Sequence, residues 1–303
     1  MSDIPMNVKP EGYYKLIFEK YTKQILFYIM VVLVVIWCTF PLVWAFIQSF
    51  VNPATRSLSV EYIPSDPSLY NYEVVFEVFQ FQKYILNSFF LSLATTLLCV
   101  AFAAFSAYVL AQFSFKGKDI ILILILSMTM FPGIIIVVPL FRQYLIINDI
   151  IGYNLVNTFP GLLIPYIAFN MPLTVFLLYN FFQEIPRELI LAARVDGASH
   201  FQVFYKVILP LAIPGVFTTC ILVFIAAWNE YLFASILISD VGNWTIPVAL
   251  ALFTGIPPSG GQTFDQFLSL MAASVLVTVP LVILVLIFQK QIVSGITAGA
   301  VKG

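Results

Sequence analysis

The chain has 303 residues, of which 61% are hydrophobic and only 10% charged, and its formal net charge is −1. With a mean hydropathy of +0.99, such a composition excludes an ordinary soluble domain, and the absence of a basic face excludes a nucleic-acid role. Its three cysteines, Cys38, Cys99 and Cys220, lie inside apolar runs without metal-ligand or C-x-x-C spacing, so they read as packing residues and no metal site is expected.

Residues 1–24 carry Lys, Glu and Tyr at irregular spacing, which predicts a solvated tail or an interfacial helix. A bilayer core about 30 Å thick takes about 20 apolar residues per helix. Six segments meet this: Ile25 to Ile47, Ile85 to Ala111, Ile120 to Leu140, Pro160 to Phe182, Leu211 to Ile238 and Leu268 to Ile292. The expected fold is therefore all-α, a polytopic membrane protein with six transmembrane helices. Residues 25–84 hold the first span and its outer loop, 85–292 the transmembrane core, and 293–303 a C-terminal tail. The first segment is too long for a signal-peptide core and lacks a small-residue cleavage site, so it reads as a retained span.

Lys9, Lys15, Lys20, Lys23, Lys116, Lys118, Arg187, Arg194, Lys206, Lys290 and Lys302 fall on one side of this layout, against Arg56, Lys83 and Arg142 on the other. The positive-inside rule then puts both termini in the cytoplasm of a multi-pass plasma-membrane protein.

The outer loop Val51 to Lys83 contains Pro53, Pro64, Pro67, Tyr62, Tyr70 and Tyr72 and is too long for a simple connector; it is expected to pack against or bind something. In the third span Met128, Met130, Phe131, Pro132 and Gly133 precede Pro139, a pattern that predicts a kink, with or without a gating role.

Between spans four and five, Glu184 to Gly215 forms a polar module. Pro186 suits the first helical position and Gly197 the left-handed residue that ends a helix. Ser199 with Gln202 makes a capping box, from which a second helix runs to Pro210. Phe201, Phe204 and Ile208 recur there at helical spacing, giving an expected docking surface, while Glu188, Arg194 and Asp196 keep the first helix wettable. His200, the single histidine, reads as a solvent-facing helix residue.

The fifth span contains Trp228, Asn229 and Glu230 inside its apolar run. A carboxylate facing lipid there costs about 2.5 to 3.5 kcal/mol, so Glu230 should face protein or a water-filled path, or lie near the interface. Trp228, Asn229 and Glu230 are the candidate path residues. The last outer loop, Ser239 to Gln266, has no charge between Val241 and Phe264 and includes Pro257-Pro258-Ser259-Gly260-Gly261. It reads as a mobile loop with an external role or as a linker. No Walker A, G-x-S-x-G or H-E-x-x-H motif occurs, so no catalytic residue is assigned, and if the chain moves a solute uphill the energy must come from elsewhere.

These residues resemble the integral membrane permease subunits of binding-protein-dependent ABC importers. Ala192, Ala193, Asp196, Gly197, Ala198, Phe204, Leu209 and Pro210 match that family's EAA loop, whose pattern is Glu-Ala-Ala, two residues, Asp-Gly-Ala, then Phe and Leu-Pro. Ser106 to Gly117 resembles the family's ending of the second span. Trp228-Asn229-Glu230-Tyr231 resembles the fifth-span signature of its carbohydrate branch, and Gly295 to Gly303 the C-terminus of maltose-transporter-like members. The resemblance implies a coupling helix docked on a cytoplasmic ATPase dimer, through Glu188, Ala192, Ala193, Asp196, Gly197, Ala198, Phe201, Phe204 and Pro210. It also implies a second permease subunit, an extracytoplasmic solute-binding protein and a sugar substrate, with ATP used by the partner and no cofactor bound by this chain. Leu191 stands where the family has Glu, and Glu188 on nearly the same face is the candidate to replace that contact. A permease for a non-sugar solute such as glycerol phosphate is the alternative within the family, and a self-contained secondary transporter the alternative outside it.

Overall fold

The computed structural model describes residues 11–54, 62–253 and 263–300, with side chains over 18–54, 62–251 and 266–289. Those residues form helices and no strand; the nearest approach to one is an isolated bridge between Val51 and Pro67. The expected all-α membrane architecture is borne out. Five helices are long and apolar enough to cross a membrane, and the count reaches six when the bent pair His200–Leu211 and Ile213–Trp228 is taken as one span.

Helix α1 (Glu11–Gln48) is continuous from the predicted tail through the first span, because nothing in Glu11 to Lys23 breaks a helix. Its side chains are exposed from Phe18 to Leu42, and only its far end packs on another long helix. There Leu42, Ala45 and Phe46 line an apolar groove with Ser274, Val275, Thr278, Val279, Val282 and Ile283 of the last span.

The loop after α1 folds back as expected of a loop that packs. A short helix α2 (Tyr70–Glu73) runs into a π-helical turn, Val74–Val78. Buried Asn71 donates from Nδ2 to the carbonyls of Ser49 and Val51, at 2.9 and 2.8 Å, and the Ser49 hydroxyl pairs with that of Tyr72 at 2.7 Å. The loop thereby satisfies the carbonyls that the end of α1 leaves free.

Helices α3 (Phe81–Gln112) and α6 (Phe159–Gln183) form the centre of the bundle. Ala103, Ala104 and Ala107 of α3 are buried in one cluster with Val175, Leu178 and Phe182 of α6, small residues that let two apolar helices approach closely. Between α3 and α6 the predicted third span is not one helix, and Gly133–Ile151 is by itself long and apolar enough to cross. Helix α4 (Lys118–Met128) stops, and α5 (Gly133–Ile151) begins after Thr129 to Pro132. This corrects the predicted span Ile120 to Leu140. Pro132 cannot donate to the preceding turn and holds an extended conformation before α5, whereas Pro139 sits inside α5, and Pro165 and Pro172 inside α6, without ending either helix.

After α6 come the hairpin helices α7 (Arg187–Val195), α8 (His200–Val203) and α9 (Leu209–Leu211), the last two joined by a π-helical turn, Phe204–Ile208. The fifth crossing, predicted as Leu211 to Ile238, is also divided. Helix α10 (Ile213–Trp228) is followed, after Asn229 to Tyr231, by α11 (Leu232–Leu237). The segment His200–Leu211 meets α10 at 79°.

Helix α12 (Ile246–Phe253) then packs into the bundle before α13 (Thr263–Ala300) completes it. The first half of the last outer loop is therefore not the mobile segment its composition predicts. Ile246, Val248 and Ala249 are buried, the Ile246 N–H donates to Ser88 Oγ at 2.8 Å, and Asn87 donates to the carbonyls of Gly242 and Trp244, both at 3.0 Å. An uncharged run here means burial. Pro257 to Gly261 lies outside the described residues.

Candidate functional site

The hairpin of α7 and α8 to α9 follows the local chemistry of its sequence. Pro186 precedes the first helical residue, Arg187, so it is the N-cap, one position earlier than predicted. Gly197 holds φ +85°, a conformation that costs glycine little. Arg194 closes the turn by donating from Nη1 to the Ala198 carbonyl at 2.9 Å. Ser199 accepts from the Gln202 N–H at 3.2 Å while the Gln202 side chain accepts from the Ser199 N–H at 2.8 Å, the reciprocal box that starts α8.

Tertiary contacts fix this unit to the bundle. The Tyr108 hydroxyl, near the end of α3, donates to the His200 carbonyl at 3.0 Å, and Gln112 donates to the Phe182 carbonyl at 3.1 Å. Phe204 is 5% exposed; its ring lies 5.0 Å from Phe105 and 5.1 Å from Tyr108. Ile208 is fully buried. The expected docking face of Phe201, Phe204 and Ile208 is thus mostly an inner face. Phe201 alone of the three is exposed, at 62%, and even it stacks on Phe105 at 6.4 Å. His200 is exposed as expected.

The outward surface belongs to α7. Ile190 and Ala193 pack against the core, while Glu188, Leu191, Ala192, Val195, Asp196 and Gly197 are exposed, Ala198 is half-buried and Pro210 is exposed. Leu189, Leu191 and Val195 are large apolar residues without a core to enter. Leu191 and Val195, three and seven residues after Glu188, were the available sequence signal for a second apolar face, set against the one that carries Ile190 and Ala193.

Toward the opposite end of the bundle, the two broken crossings meet. A Cβ placed on Gly133, the first residue of α5, would lie 3.5 Å from the rings of Phe169 and Phe233, and these two rings are 4.9 Å apart. Glu230 sits in the middle of the break in the fifth crossing: Oε1 accepts from the Phe233 N–H at 2.8 Å and Oε2 from the Ala234 N–H at 3.2 Å. Its carboxylate thus satisfies N–H groups that a new helix start leaves unpaired. The Glu230 carbonyl accepts from the Tyr166 hydroxyl at 3.4 Å.

The three candidate path residues consequently have different surroundings. Trp228 is 1% exposed, stacked on Phe224 at 5.7 Å and clustered with Ile246 and Ala272, so it lines no open surface. Asn229 is exposed, as is Tyr231, which was not among the candidates. A cleft of about 380 Å³ opens at the other break, lined by Met128, Phe131, Ile136, Ala168, Phe169 and Pro172. Its lining side chains offer nothing to pair with hydroxyl groups, so by itself it is a poor sugar site.

Beyond the breaks, Asn157 joins two loops. With φ +63°, it accepts at Oδ1 from the Ser239 hydroxyl and the Asp240 N–H, both at 3.0 Å, and its carbonyl accepts from Asn243 Nδ2 at 2.8 Å. No cluster of three or more His, Cys, Asp or Glu among the described residues could hold a metal ion.

Residues 100–298, spanning the hairpin and both breaks, match the family model of the binding-protein-dependent transport system inner membrane component. The chain belongs to that family. It is 42% identical over 271 residues to the trehalose transport system permease protein SugB of Mycobacterium tuberculosis, covering 89% of this chain and 95% of the relative. It is 40% identical over 299 residues to the trehalose/maltose transport system permease protein MalG of Thermococcus litoralis, covering 94% and 99%. Its fold is also that of a chain from a bacterial ABC transporter involved in the import of the acidic polysaccharide alginate, with TM-score 0.76, 22% identity and coverage of 90% and 97%. As an ABC importer permease subunit, it is a multi-pass membrane protein whose place is in a transport assembly.

Proposed function

We propose that this permease forms half of the path through which a disaccharide or oligosaccharide is imported, paired with a second permease chain and fed by an extracytoplasmic binding protein. Energy comes from a cytoplasmic ATPase dimer, onto which the hairpin docks, and both termini are cytoplasmic. One observation carries this reading: α7 rests on the bundle through Ile190 and Ala193, and α8 beside it is tied by its capping box and by Tyr108 bonded to His200, yet the outward face of α7 is left bare. An element that rests on the bundle by one face and is bare on the other passes force between the bundle and an external partner. The relatives named for trehalose and maltose transport support a sugar substrate.

Along the path, Asn229 and Tyr231 are the side chains presented to solute, and an amide beside an exposed aromatic ring suits a sugar's hydroxyls and its apolar face. Trp228 and Glu230 hold the break that presents them. On the hairpin, Glu188, Ala192, Asp196, Gly197 and Phe201 meet the ATPase, while Ala193, Ala198, Phe204 and Pro210 shape the unit that carries them.

The test is co-purification in mild detergent with identification of the partners, followed by uptake of labelled trehalose and maltose in proteoliposomes holding the recovered assembly. An ATPase, a second permease and ATP-dependent uptake of either sugar are expected. A chain that transports alone, or an assembly that moves only non-sugar solutes, overturns the reading.

A further inference from the structure

We infer that the second limb of the hairpin, His200–Leu211, lies in the headgroup layer of the bilayer and holds anionic phospholipid through Tyr205 and Lys206. Helix α10 packs along α3 and α6 and so stands across the bilayer with them, and His200–Leu211 meets it at 79°. A segment at nearly a right angle to a crossing helix runs along the membrane surface. Its depth follows from its contact on α3: Tyr108, bonded to the His200 carbonyl, stands four residues before Gln112, where α3 ends. At 1.5 Å per residue that is about 6 Å inside the end of the helix, within the range of about 5 to 10 Å at which interfacial helices seat.

The limb has two faces. Val203, Phe204 and Ile208 are buried in the bundle, whereas Phe201, Tyr205 and Lys206 are exposed. The Tyr205 ring, 51% exposed, lies 6.0 Å from that of Phe201, which stacks on Phe105 of α3. Phe105 and, a turn deeper in the crossing, Phe102 are exposed as well. The rings form one apolar strip that starts on the bare side of a membrane span and turns onto the limb, with Phe201 at its edge toward the docking side of the hairpin. Lys206 holds Nζ 6.0 Å from the centre of the Tyr205 ring. At this depth the ring meets the acyl boundary while the ammonium reaches phosphate.

Charge selects the bilayer over a protein partner. No Asp or Glu occurs between Asp196 and Glu230 or within α3, while Lys206 lies on the limb and Lys116 just past the end of α3. Packed beside the limb, α7 and its C-cap carry Arg187 and Arg194 against Glu188 and Asp196, which cancel. The limb therefore presents a net positive charge beside its rings. Protein interfaces are poor in Lys, whereas a surface of anionic headgroups takes Lys next to an apolar strip. With both termini cytoplasmic, this surface is the cytoplasmic leaflet, and the lipid contact does not depend on ATPase docking.

The test places the whole assembly, purified through this chain, in vesicles of equal parts phosphatidylglycerol and phosphatidylcholine, with Tyr205 replaced by the photoreactive residue benzoylphenylalanine. After illumination, the adducts on this chain are identified by mass. Phospholipid adducts are expected, with phosphatidylglycerol favoured about fivefold, the effect of one cation at a charged surface. Lys206→Gln should erase that preference and Lys206→Arg should keep it. Tyr205 is exposed, so assembly should be unchanged; if it is not, the photoreactive residue in place of Lys206 reads the lipid adducts instead. Adducts to a second permease, to the ATPase or to another copy of this chain, or no lipid adduct, overturn the seat in the membrane. Equal labelling of the two lipids, or a preference that survives Lys206→Gln, overturns the headgroup contact.

Discussion

The hydroxyl of Tyr108 donates to the carbonyl of His200 at 3.0 Å, tying the end of α3 to the first residue of α8. A push on the hairpin therefore reaches α3 through a direct bond as well as through the backbone of α6 and α10. Tyr108→Phe keeps the ring between Phe113 and Phe204 and removes the bond, at a cost of about 1 kcal/mol. Hydrogen exchange should show faster exchange across residues 199–204 with little change in α3. Solute-stimulated ATP hydrolysis should fall more than ATPase retention does. Unchanged exchange in that segment contradicts the tie.

At the fifth-crossing break, structure and path separate by residue. Glu230→Ala strips acceptors from the Phe233 and Ala234 N–H groups and should cost about 0.5 to 2 kcal/mol, seen as a lower melting temperature in detergent. Tyr231→Ala, at an exposed position, should change stability by no more than about 0.5 kcal/mol. Its sugar uptake should nevertheless drop severalfold. Wild-type uptake by Tyr231→Ala removes that ring from the path.

A Cβ on Gly161 would lie 1.9 Å from the Leu155 carbonyl oxygen. Gly161→Ala must displace the start of α6, and a cost of about 1 to 3 kcal/mol is expected, measured as reduced yield and melting temperature. Gly152→Ala supplies the contrast: nothing lies within 4 Å of its added Cβ, although φ +68° still strains it, so a cost of roughly 1 kcal/mol follows.

Asn157→Ala removes the acceptor shared by the Ser239 hydroxyl and the Asp240 N–H and places a residue with little tolerance for φ +63° at the junction. Amides at 239–243 should lose protection. Asn157→Gly relieves the backbone but supplies no acceptor, so it should recover stability only in part. Full recovery by glycine assigns the effect to backbone conformation alone.

How much of this was legible in the sequence depends on the range over which each signal acts. The hairpin's caps are local chemistry, and Gly197, Ser199 and Gln202 behave as their identities require. Which face of the second limb is outward is not local. Phe201, Phe204 and Ile208 share a helical face in sequence, but α3 and α6 cover Phe204 and Ile208. Apolar counting finds crossings and misses their interruptions: Pro132 breaks a helix while Pro139, Pro165 and Pro172 do not, and the break at Asn229 to Tyr231 contains no proline. Trp228 was a candidate because of its neighbours in the motif, whereas its environment is set by Phe224, Ile246 and Ala272, contributed by three different helices.

The placement of α1 bears on how the molecule is built. Among the long helices α1 packs on α13, through the groove that Leu42, Ala45 and Phe46 share with Ser274 and Thr278. During synthesis the first crossing enters the bilayer well before that partner exists. It must wait there as a solitary lipid-soaked helix, stable through its own backbone hydrogen bonds, until the last crossing arrives. Ribosome-stalled chains ending before α13 should therefore leave α1 free to exchange neighbours, and this seam should be the last to close.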